Sequence, residues 1–280
     1  EGSKEEKWVM IVNINPGGPN KGSAGQYFVG DFDGKTFTID SHFDQQIKRE
    51  KAAWLDWGKD NYASVSFDNV PEEKRILIGW MSNWDYAQEV PTEAWRSSMT
   101  VAREVSLKKT NDGYILKNIP VSQLKNYQEK STRKTIKVKA ENQLIEKSQI
   151  DLSKAVVDLD LKKMTAGKYT FSLKNALGEE LTFGIDNTTK ELFIDRSKSG
   201  KTDFGNQFAT AVTKAPLDKL YSNAKMKLVI DKTSIEIFFN DGEKVLTEIF
   251  FPSEHFSELD LSTDTKGSTL NISGHQLNIK

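Results

Sequence analysis

The sequence contains no cysteine, and this absence excludes disulfide bonds, thiolate catalysis and zinc sites built from cysteine. A cysteine-free chain suits both a cytosolic protein and a bacterial secreted one, so the compartment stays open. Neither sign of charge is in excess: 39 basic residues stand against 40 acidic ones, for a net charge of −1. Electrostatics therefore gives no reason to expect nucleic acid or an anionic membrane as a partner.

Long hydrophobic runs are also missing, and the mean hydropathy of −0.57 argues against a transmembrane helix. The first residues, EGSKEEKW, are charged and lack the apolar stretch of a signal peptide. We therefore expect that the chain either never had a targeting segment or does not start at the natural N-terminus. There is no Walker or dinucleotide fingerprint, no nucleophile elbow and no H-x-x-x-H spacing, so neither a cofactor nor a metal is predicted.

Short alternating or β-branched runs, separated by turn residues, recur along the chain. Examples are KWVMIVNI (7–14), RILIGWM (75–81), KYTFSL (168–173) and SIEIFF (234–239). This pattern predicts an all-β protein. Only SQLKNYQEKS (122–131) is a candidate for a short helix, and it has no strong apolar stripe.

The tryptophans divide the chain, because all six lie within the first 95 residues. We predict a tryptophan-bearing region over 1–107, a polar linker over 108–130 and a two-layer β-sandwich over 131–280. The inward-facing positions of the sandwich include Ile235, Ile237 and Phe239. Residues 1–107 hold strands for about two four-stranded blades, whereas a closed propeller ring needs about four to eight. They form either part of a propeller or a small self-contained β-domain.

The segment GWMSNWDYAQEVPTEAWRSSM (79–99) mixes aromatic side chains with polar, turn-forming residues. Aromatic faces beside hydrogen-bonding side chains suit sugars, whose C–H faces pack on rings while their hydroxyls need polar partners. Trp84, between Asn83 and Asp85, is the tryptophan that we expect in contact with a ligand. The other tryptophans considered are predicted to pack in the core: Trp54, Trp57, Trp80 and Trp95.

Three carboxylates lie near these aromatic residues, namely Asp56, Asp60 and Asp85. Glycoside hydrolysis normally needs two carboxyl groups on either side of the scissile bond, about 5 to 9 Å apart. The sequence does not give that distance. We expect surface or turn-capping roles for these three aspartates rather than catalysis.

Several segments closely resemble glycoside hydrolase family 32, which contains invertases, inulinases, levanases and fructan β-fructosidases. The segments are WVMIVNINPGGPNKGSAGQYFVGDFDG (8–34), DWGKDNYAS (56–64), ILIGWMSNWDYAQEVPTEAWRSSMTVARE (76–104), LFIDRSKSG (192–200) and KLVIDKTSIEIFFNDGEKVLTEIFFP (227–252). The resemblance covers nearly the whole chain, in order. It implies the last blades of a five-bladed β-propeller, followed by a C-terminal β-sandwich.

The resemblance also implies metal-free, retaining hydrolysis of β-fructofuranosidic bonds in levan, inulin or sucrose-type substrates. In the family, an Asp in N-D-P-N-G is the nucleophile, a Glu in E-C is the acid/base, and an Asp in R-D-P stabilises the transition state. None of these motifs occurs in this sequence, and in the family all three precede the matching segments. We therefore predict a C-terminal part with no catalytic residue, inactive without a missing N-terminal propeller portion as its partner.

The resemblance assigns substrate binding to three residues. Trp84 matches a tryptophan that lines the fructosyl pocket, Tyr62 matches an aromatic residue close to it, and Asn15 is expected on the leaving-group side. A departure from the family occurs before Arg103, where Ala102 replaces the usual proline and is expected to affect only local backbone geometry.

The resemblance further implies a fructan or fructo-oligosaccharide as substrate and an extracellular or periplasmic site of action. In the family the sandwich braces the propeller and sometimes takes part in homo-oligomer or oligosaccharide contacts. Two other hypotheses remain open. One is a non-catalytic sugar-binding module whose site lies in the sandwich, and the other is an interaction scaffold without sugar affinity.

Overall fold

The computed structural model describes residues 6–71, 74–147 and 149–279, and their regular structure is almost entirely strand, which confirms the all-β prediction. The first strands and the only α-helix of the described residues are β1 (Trp8–Ile14), β2 (Ala24–Phe32), β3 (Phe37–Ile39), α1 (Ser41–Glu50), β4 (Tyr62–Ser66), β5 (Arg75–Met81), β6 (Ser98–Met99), β7 (Arg103–Thr110) and β8 (Gly113–Pro120). A 3₁₀ helix follows at Ser122–Tyr127.

The later strands are β9 (Gln128–Lys137), β10 (Gln143–Lys147), β11 (Ala155–Lys162), β12 (Lys168–Lys174), β13 (Glu180–Asp186), β14 (Glu191–Lys198), β15 (Thr213–Pro216), β16 (Asn223–Asp231), β17 (Ser234–Phe239), β18 (Lys244–Ile249), β19 (Glu258–Thr263) and β20 (Thr269–Leu277). They form two six-stranded antiparallel sheets, ordered β10-β19-β12-β13-β14-β15 and β18-β17-β16-β11-β20-β9. We call this pair the C-terminal double sheet.

The two layers of the double sheet share one hydrophobic core. Alternate residues of each strand enter it, as Leu159 and Leu161 of β11 do, and Phe171 stacks on Phe183 with ring centroids 5.6 Å apart. The predicted inward positions Ile235, Ile237 and Phe239 all lie in this core, which confirms that part of the period-two prediction.

Strands β1 to β8 form two smaller antiparallel sheets, which we call the N-terminal sheets. One has the order β1-β2-β3, and the other has the order β4-β5-β7-β8 with β6 paired to β5. A small core joins them to α1 and includes Tyr27, Val29, Phe43, Leu77 and Tyr114. The N-terminal sheets thus have a core of their own, separate from that of the double sheet.

The structure of residues 108–130 differs from the prediction of a polar linker. Residues of this segment complete β7, form all of β8 and begin β9, with the 3₁₀ helix between β8 and β9. The pattern of β8, GYILKNIP, alternates in burial because Tyr114, Leu116 and Asn118 face inward. A sheet strand therefore occupies most of the segment that its polar composition suggested to be a connector.

The helix prediction also needs correction. The segment 122–131 forms a 3₁₀ helix and the start of β9, whereas the α-helix lies at Ser41–Glu50. Asp40 caps α1 by accepting hydrogen bonds from the backbone N–H groups of His42 and Phe43. Across the described residues, no helix has the length and apolar character needed to span a membrane.

Candidate functional site

The turn after β5 carries Trp84, which is 49 % exposed. Its neighbour Asn83 is fully buried and fixes the turn from inside. The Asn83 amide donates to the carbonyl of Lys59 over 2.8 Å, and its Oδ1 accepts from the backbone N–H groups of Ser23 and Asp85. Because both polar atoms of the Asn83 side chain are engaged, the side chain fixes the backbone that presents Trp84.

Ser23 connects this turn to the loop between β1 and β2. Its hydroxyl accepts from the backbone N–H of Trp84 over 3.1 Å and donates to Oδ1 of Asn15 over 3.1 Å. The contact is tight, since a Cβ atom on Gly22 would lie only 2.1 Å from Asn83 Oδ1. The serine therefore brings Asn15 and Trp84 to the same place although 69 positions separate them in the sequence.

Aromatic rings extend the surface from Trp84 towards β4. The ring centroids of Trp84 and Trp80 are 5.0 Å apart, and those of Trp80 and Tyr62 are 6.2 Å apart. Tyr62 and Trp80 are half-buried, so their rings are partly accessible. The three predicted site residues thus belong to one connected group, Asn15 through Ser23 and Tyr62 through Trp80.

Sequence reasoning missed Ser23, Asn83 and Trp80 as members of this group. Trp80 was expected to pack in the core, yet it is half-buried. Trp54 and Trp57 are half-buried as well, but Trp57 packs against the core of the double sheet, in agreement with the prediction. Trp95, also expected in the core, is 47 % exposed. The available signal was the run Gly79-Trp80-Met81, where strand alternation places Gly79 and Met81 inside and therefore turns Trp80 outward.

Asp56 and Asp60 are not at the surface, where we expected them, although Asp56 does cap a turn, because its Oδ1 accepts from the backbone N–H of Gly58 over 2.8 Å. They are 2 % and 0 % exposed, and both face the C-terminal double sheet. The segment 57–60 runs along β18, with the N–H of Trp57 donating to the carbonyl of Val245 and the N–H of Asp60 donating to that of Thr247. These carboxylates belong to an interface between the two parts of the chain.

Arg103 neutralises Asp56 in this interface. Its guanidinium lies 2.8 Å from Asp56 Oδ2 and 2.6 Å from Oε2 of Glu236, a residue of β17. Thr247 completes the cluster by donating its hydroxyl to Asp56 and accepting from Arg103. Burial raises the pKa of Glu236, and the Arg103 charge opposes that rise.

Arg196 forms a second cluster of the same kind. Its Nη1 lies 2.6 Å from Asp60 Oδ2 and 2.8 Å from Glu248 Oε2, and its Nη2 donates to the Tyr86 hydroxyl over 2.8 Å. Burial raises the pKa of Glu248 to about 6, against the lowering effect of Arg196. Each cluster places one arginine between two carboxylates, one from the N-terminal sheets or their loops and one from the double sheet.

Asp85 is half-buried and lies 3.4 Å from the Nζ of Lys59. With Asp56 and Asp60 buried in ion pairs, none of the three candidate carboxylates is placed as a free acid beside Trp84. Among the described residues, no group of three or more His, Asp and Glu side chains is arranged to hold a metal ion. What the group around Trp84 offers chemically is an aromatic face bordered by amide and hydroxyl groups.

Comparison with known families identifies the family of the chain. Residues 1–119 match the family described as "Glycosyl hydrolases family 32 N-terminal domain", and residues 121–278 match "Glycosyl hydrolases family 32 C terminal". The chain therefore belongs to glycoside hydrolase family 32. The boundary between the two matches falls near residue 120, at the end of β8, and so lies inside the segment predicted as a linker.

Curated relatives include a levanase of Bacillus subtilis (strain 168), which is 34 % identical over 262 residues, covering 92 % of this chain and 38 % of the relative. An extracellular exo-inulinase of Aspergillus niger is 32 % identical, covering 90 % of this chain and 48 % of the relative. The chain thus spans less than half the length of these relatives.

The structure of the chain is also similar to solved structures. The exo-inulinase from Aspergillus awamori superposes with a TM-score of 0.84 at 30 % identity, covering 99 % of this chain and 55 % of that one. A fructofuranosidase from Schwanniomyces occidentalis complexed with fructose gives a TM-score of 0.78 at 27 % identity, covering all of this chain and 58 % of that one.

Proposed function

We propose that this chain forms the C-terminal part of a fructan hydrolase and supplies one wall of its fructosyl-binding site. The observation that carries the proposal is the connected group of Trp84, Trp80 and Tyr62 with Asn15 at its border. A sugar ring packs its C–H face on an aromatic plane and directs its hydroxyls to nearby amide and hydroxyl groups. In this proposal Trp84 and Tyr62 provide the aromatic contact and Asn15 a polar partner.

The architecture in this proposal is two blades of a five-bladed propeller followed by a β-sandwich. The two separate N-terminal sheets correspond to the blades and the double sheet to the sandwich. Support comes from the likeness to the exo-inulinase structure and from the division of the family match near residue 120. The domain boundary then lies at about the end of β8, inside the segment 108–130, and most of that segment belongs to strands rather than to a linker.

The reaction that we propose for the complete site is retaining hydrolysis of β-fructofuranosidic bonds, which needs a nucleophile and an acid/base on either side of the scissile bond. The family motifs that carry these carboxylates are absent from the 280 residues, and Asp56 and Asp60 are engaged in buried ion pairs. We therefore expect the chain alone to bind sugar weakly and to leave it intact. By analogy with the extracellular exo-inulinases, we place the action of the complete protein outside the cell.

The binding proposal is tested by titrating the 280-residue chain with millimolar fructose and with an inulin-type oligosaccharide while recording tryptophan fluorescence. We expect a saturable change that Trp84→Ala abolishes and Trp8→Ala preserves, since Trp8 is 59 % exposed on β1 and serves as a matched control. A response that survives Trp84→Ala would favour a sugar site in the double sheet, and the absence of any response would count against the fructosyl wall.

The catalytic part is tested separately by measuring fructose release from levan, inulin and sucrose. We expect no release by the purified chain. Turnover by this chain, carried by Asp56, Asp60 or Asp85 and lost on their substitution, would contradict the assignment of the catalytic carboxylates to another part of the protein.

A further inference from the structure

The turn that carries Trp84 is held from two sides. On one side, Asn83 and Ser23 attach it to the loops of the N-terminal sheets. On the other side, Tyr86 reaches the double sheet, where its hydroxyl donates to Asp60 over 2.6 Å and accepts from Arg196 over 2.8 Å. Only two positions separate Tyr86 from Trp84, so the Tyr86 anchor restrains the backbone that presents the indole.

Arg196 is built into this contact from β14 of the double sheet. One guanidinium nitrogen donates to Asp60 and to the carbonyl of Ile249, and the other donates to Tyr86. The guanidinium carbon lies 4.0 Å from the ring centroid of Phe208 and 5.2 Å from that of Tyr86. A planar group with several fixed donors is required for this set of contacts, which a lysine ammonium cannot reproduce.

Burial determines which charge states the groups in this contact adopt. Arg196 is 2 % exposed and Tyr86 is 1 % exposed. Burial raises the pKa of the Tyr86 hydroxyl, so the phenol remains neutral and keeps the proton that it donates to Asp60. Loss of the arginine would leave Asp60 and Glu248 as buried carboxylates without their counter-ion.

Apolar packing strengthens the same anchor. Met81 and Val90, at the two ends of the turn, lie in a cluster with Tyr86, Phe208 and Phe251, and the rings of Tyr86 and Phe208 meet edge to face with centroids 5.0 Å apart. The loop 204–209 of the double sheet approaches closely. A Cβ atom on Gly205 would lie 2.7 Å from Glu89 Oε2 and 3.3 Å from Tyr86 Cβ.

We propose that Arg196 is a positioning residue for sugar binding, which acts through Tyr86 to fix the turn that carries Trp84. The proposal rests on the proposed function, because it assumes that Trp84 contacts the sugar. In this arrangement the C-terminal double sheet influences the fructosyl site without contributing a residue that touches the sugar. Its role is to hold the aromatic wall in place from behind.

The test combines a readout of the turn with a readout of the sugar. Amide hydrogen exchange of residues 84–89 in the 280-residue chain is measured for Tyr86→Phe, which keeps the ring but loses the hydroxyl, and for Arg196→Lys, which keeps the charge but loses the fork. We expect exchange about tenfold faster in both variants, the size expected for loss of one such hydrogen bond, with β2 unchanged. The Kd for fructose should rise at least about threefold.

The matched control is Tyr27→Phe, because the Tyr27 hydroxyl is also buried and hydrogen-bonded but contacts Leu116 in the small core. It should leave the exchange of residues 84–89 and the sugar affinity unchanged. Parental exchange in Tyr86→Phe or Arg196→Lys, or equal acceleration in Tyr27→Phe, would overturn the proposal. If the parental chain shows no fructose response, the proposed function fails, whereas the exchange data still decide whether Arg196 positions the turn.

Discussion

The two parts of the molecule differ in how they are stabilised. Among the described residues, the double sheet has a core of 33 buried hydrophobic residues, and the core between the N-terminal sheets has eight. The double sheet contains no tryptophan, whereas the six tryptophans of the N-terminal part are all half-buried or exposed. The double sheet thus has the larger core, whereas the tryptophans of the N-terminal part remain partly accessible.

We expect the smaller part to depend on the larger one for stability. The outer face of β17 is buried as well as its inner face, since Glu236 and Phe238 pack under Arg103. The segment 57–60 forms backbone hydrogen bonds with β18, which is the edge strand of its sheet. A region with a small core is thus held by two ion-pair clusters and by backbone hydrogen bonds to its neighbour.

The largest effect is expected from Phe171→Ala in the core of the double sheet. The ring is fully buried against Phe183, and its removal should lower the free energy of unfolding by about 3–5 kcal/mol. Urea unfolding followed by tryptophan fluorescence reports on the N-terminal sheets, and circular dichroism reports on the whole chain. Both transitions should shift together, because we expect the N-terminal sheets to unfold when the double sheet unfolds.

Leu177→Ala is the control for this experiment, since Leu177 is 57 % exposed and its loss should cost within about 0.5 kcal/mol. A fluorescence transition that stays in place while circular dichroism shifts would show that the N-terminal sheets are stable without the double sheet.

Arg103→Met should have the next largest effect, about 3 kcal/mol, because it leaves Asp56 and Glu236 buried without a counter-ion. The change loosens the interface rather than the core of the double sheet. We therefore expect the fluorescence transition to occur at lower urea than the circular dichroism transition. Arg133→Met, at an exposed position of β9, is the control, and coincident, unshifted transitions in Arg103→Met would contradict the interface role.

Gly58→Ala tests the pairing with β18 at about 2 kcal/mol, a typical cost of overpacking. A Cβ atom at this position would lie 2.1 Å from both the backbone nitrogen and the oxygen of Thr247. Gly25→Ala is the matched control, because its Cβ would meet its neighbours at ordinary contact distances of 3.4 Å or more. Equal unfolding free energies for the two variants, measured in urea, would argue against the close approach.

The difference between the two parts also explains what the sequence could predict. Period-two alternation identified the strands and the inward face of β17, since each strand carries that signal in its own residues. The exposure of Trp84 followed from its polar neighbours. The helix Ser41–Glu50 also carried a local signal, an Asp40 cap with Phe43 and Ile47 four positions apart. It was not predicted, because the sequence on both sides of it has the pattern of strands.

The buried ion pairs could not be predicted in this way. Arg103 is 47 positions from Asp56, and Arg196 is 136 positions from Asp60. An isolated aspartate beside tryptophan has the same local pattern whether it faces solvent, a sugar or a distant arginine. The partner is decided by how the two parts of the chain dock, and that information is not local.

The smallest effect is expected from pH at the Arg196 cluster. Because burial raises the pKa of Glu248 to about 6 from an ordinary value of 4.5, the folded protein retains this proton over a range where the unfolded chain has lost it. The stabilising contribution of the protonated form is complete below pH 4.5 and is lost as the pH rises through about 6.

Glu248→Gln replaces the carboxyl group with an amide that stays neutral at every pH. The contribution of residue 248 to the free energy of unfolding should then no longer depend on pH. The free energy of unfolding of the parent minus that of the variant should therefore fall by about 1–2 kcal/mol between pH 4.5 and 7. Urea titrations at several pH values measure this difference, with Glu254→Gln, at an exposed position, as the control. A difference that rises with pH would mean that Arg196 stabilises the Glu248 carboxylate by more than burial disfavours it. The pKa of Glu248 in the folded protein would then lie below its ordinary value, contrary to the prediction.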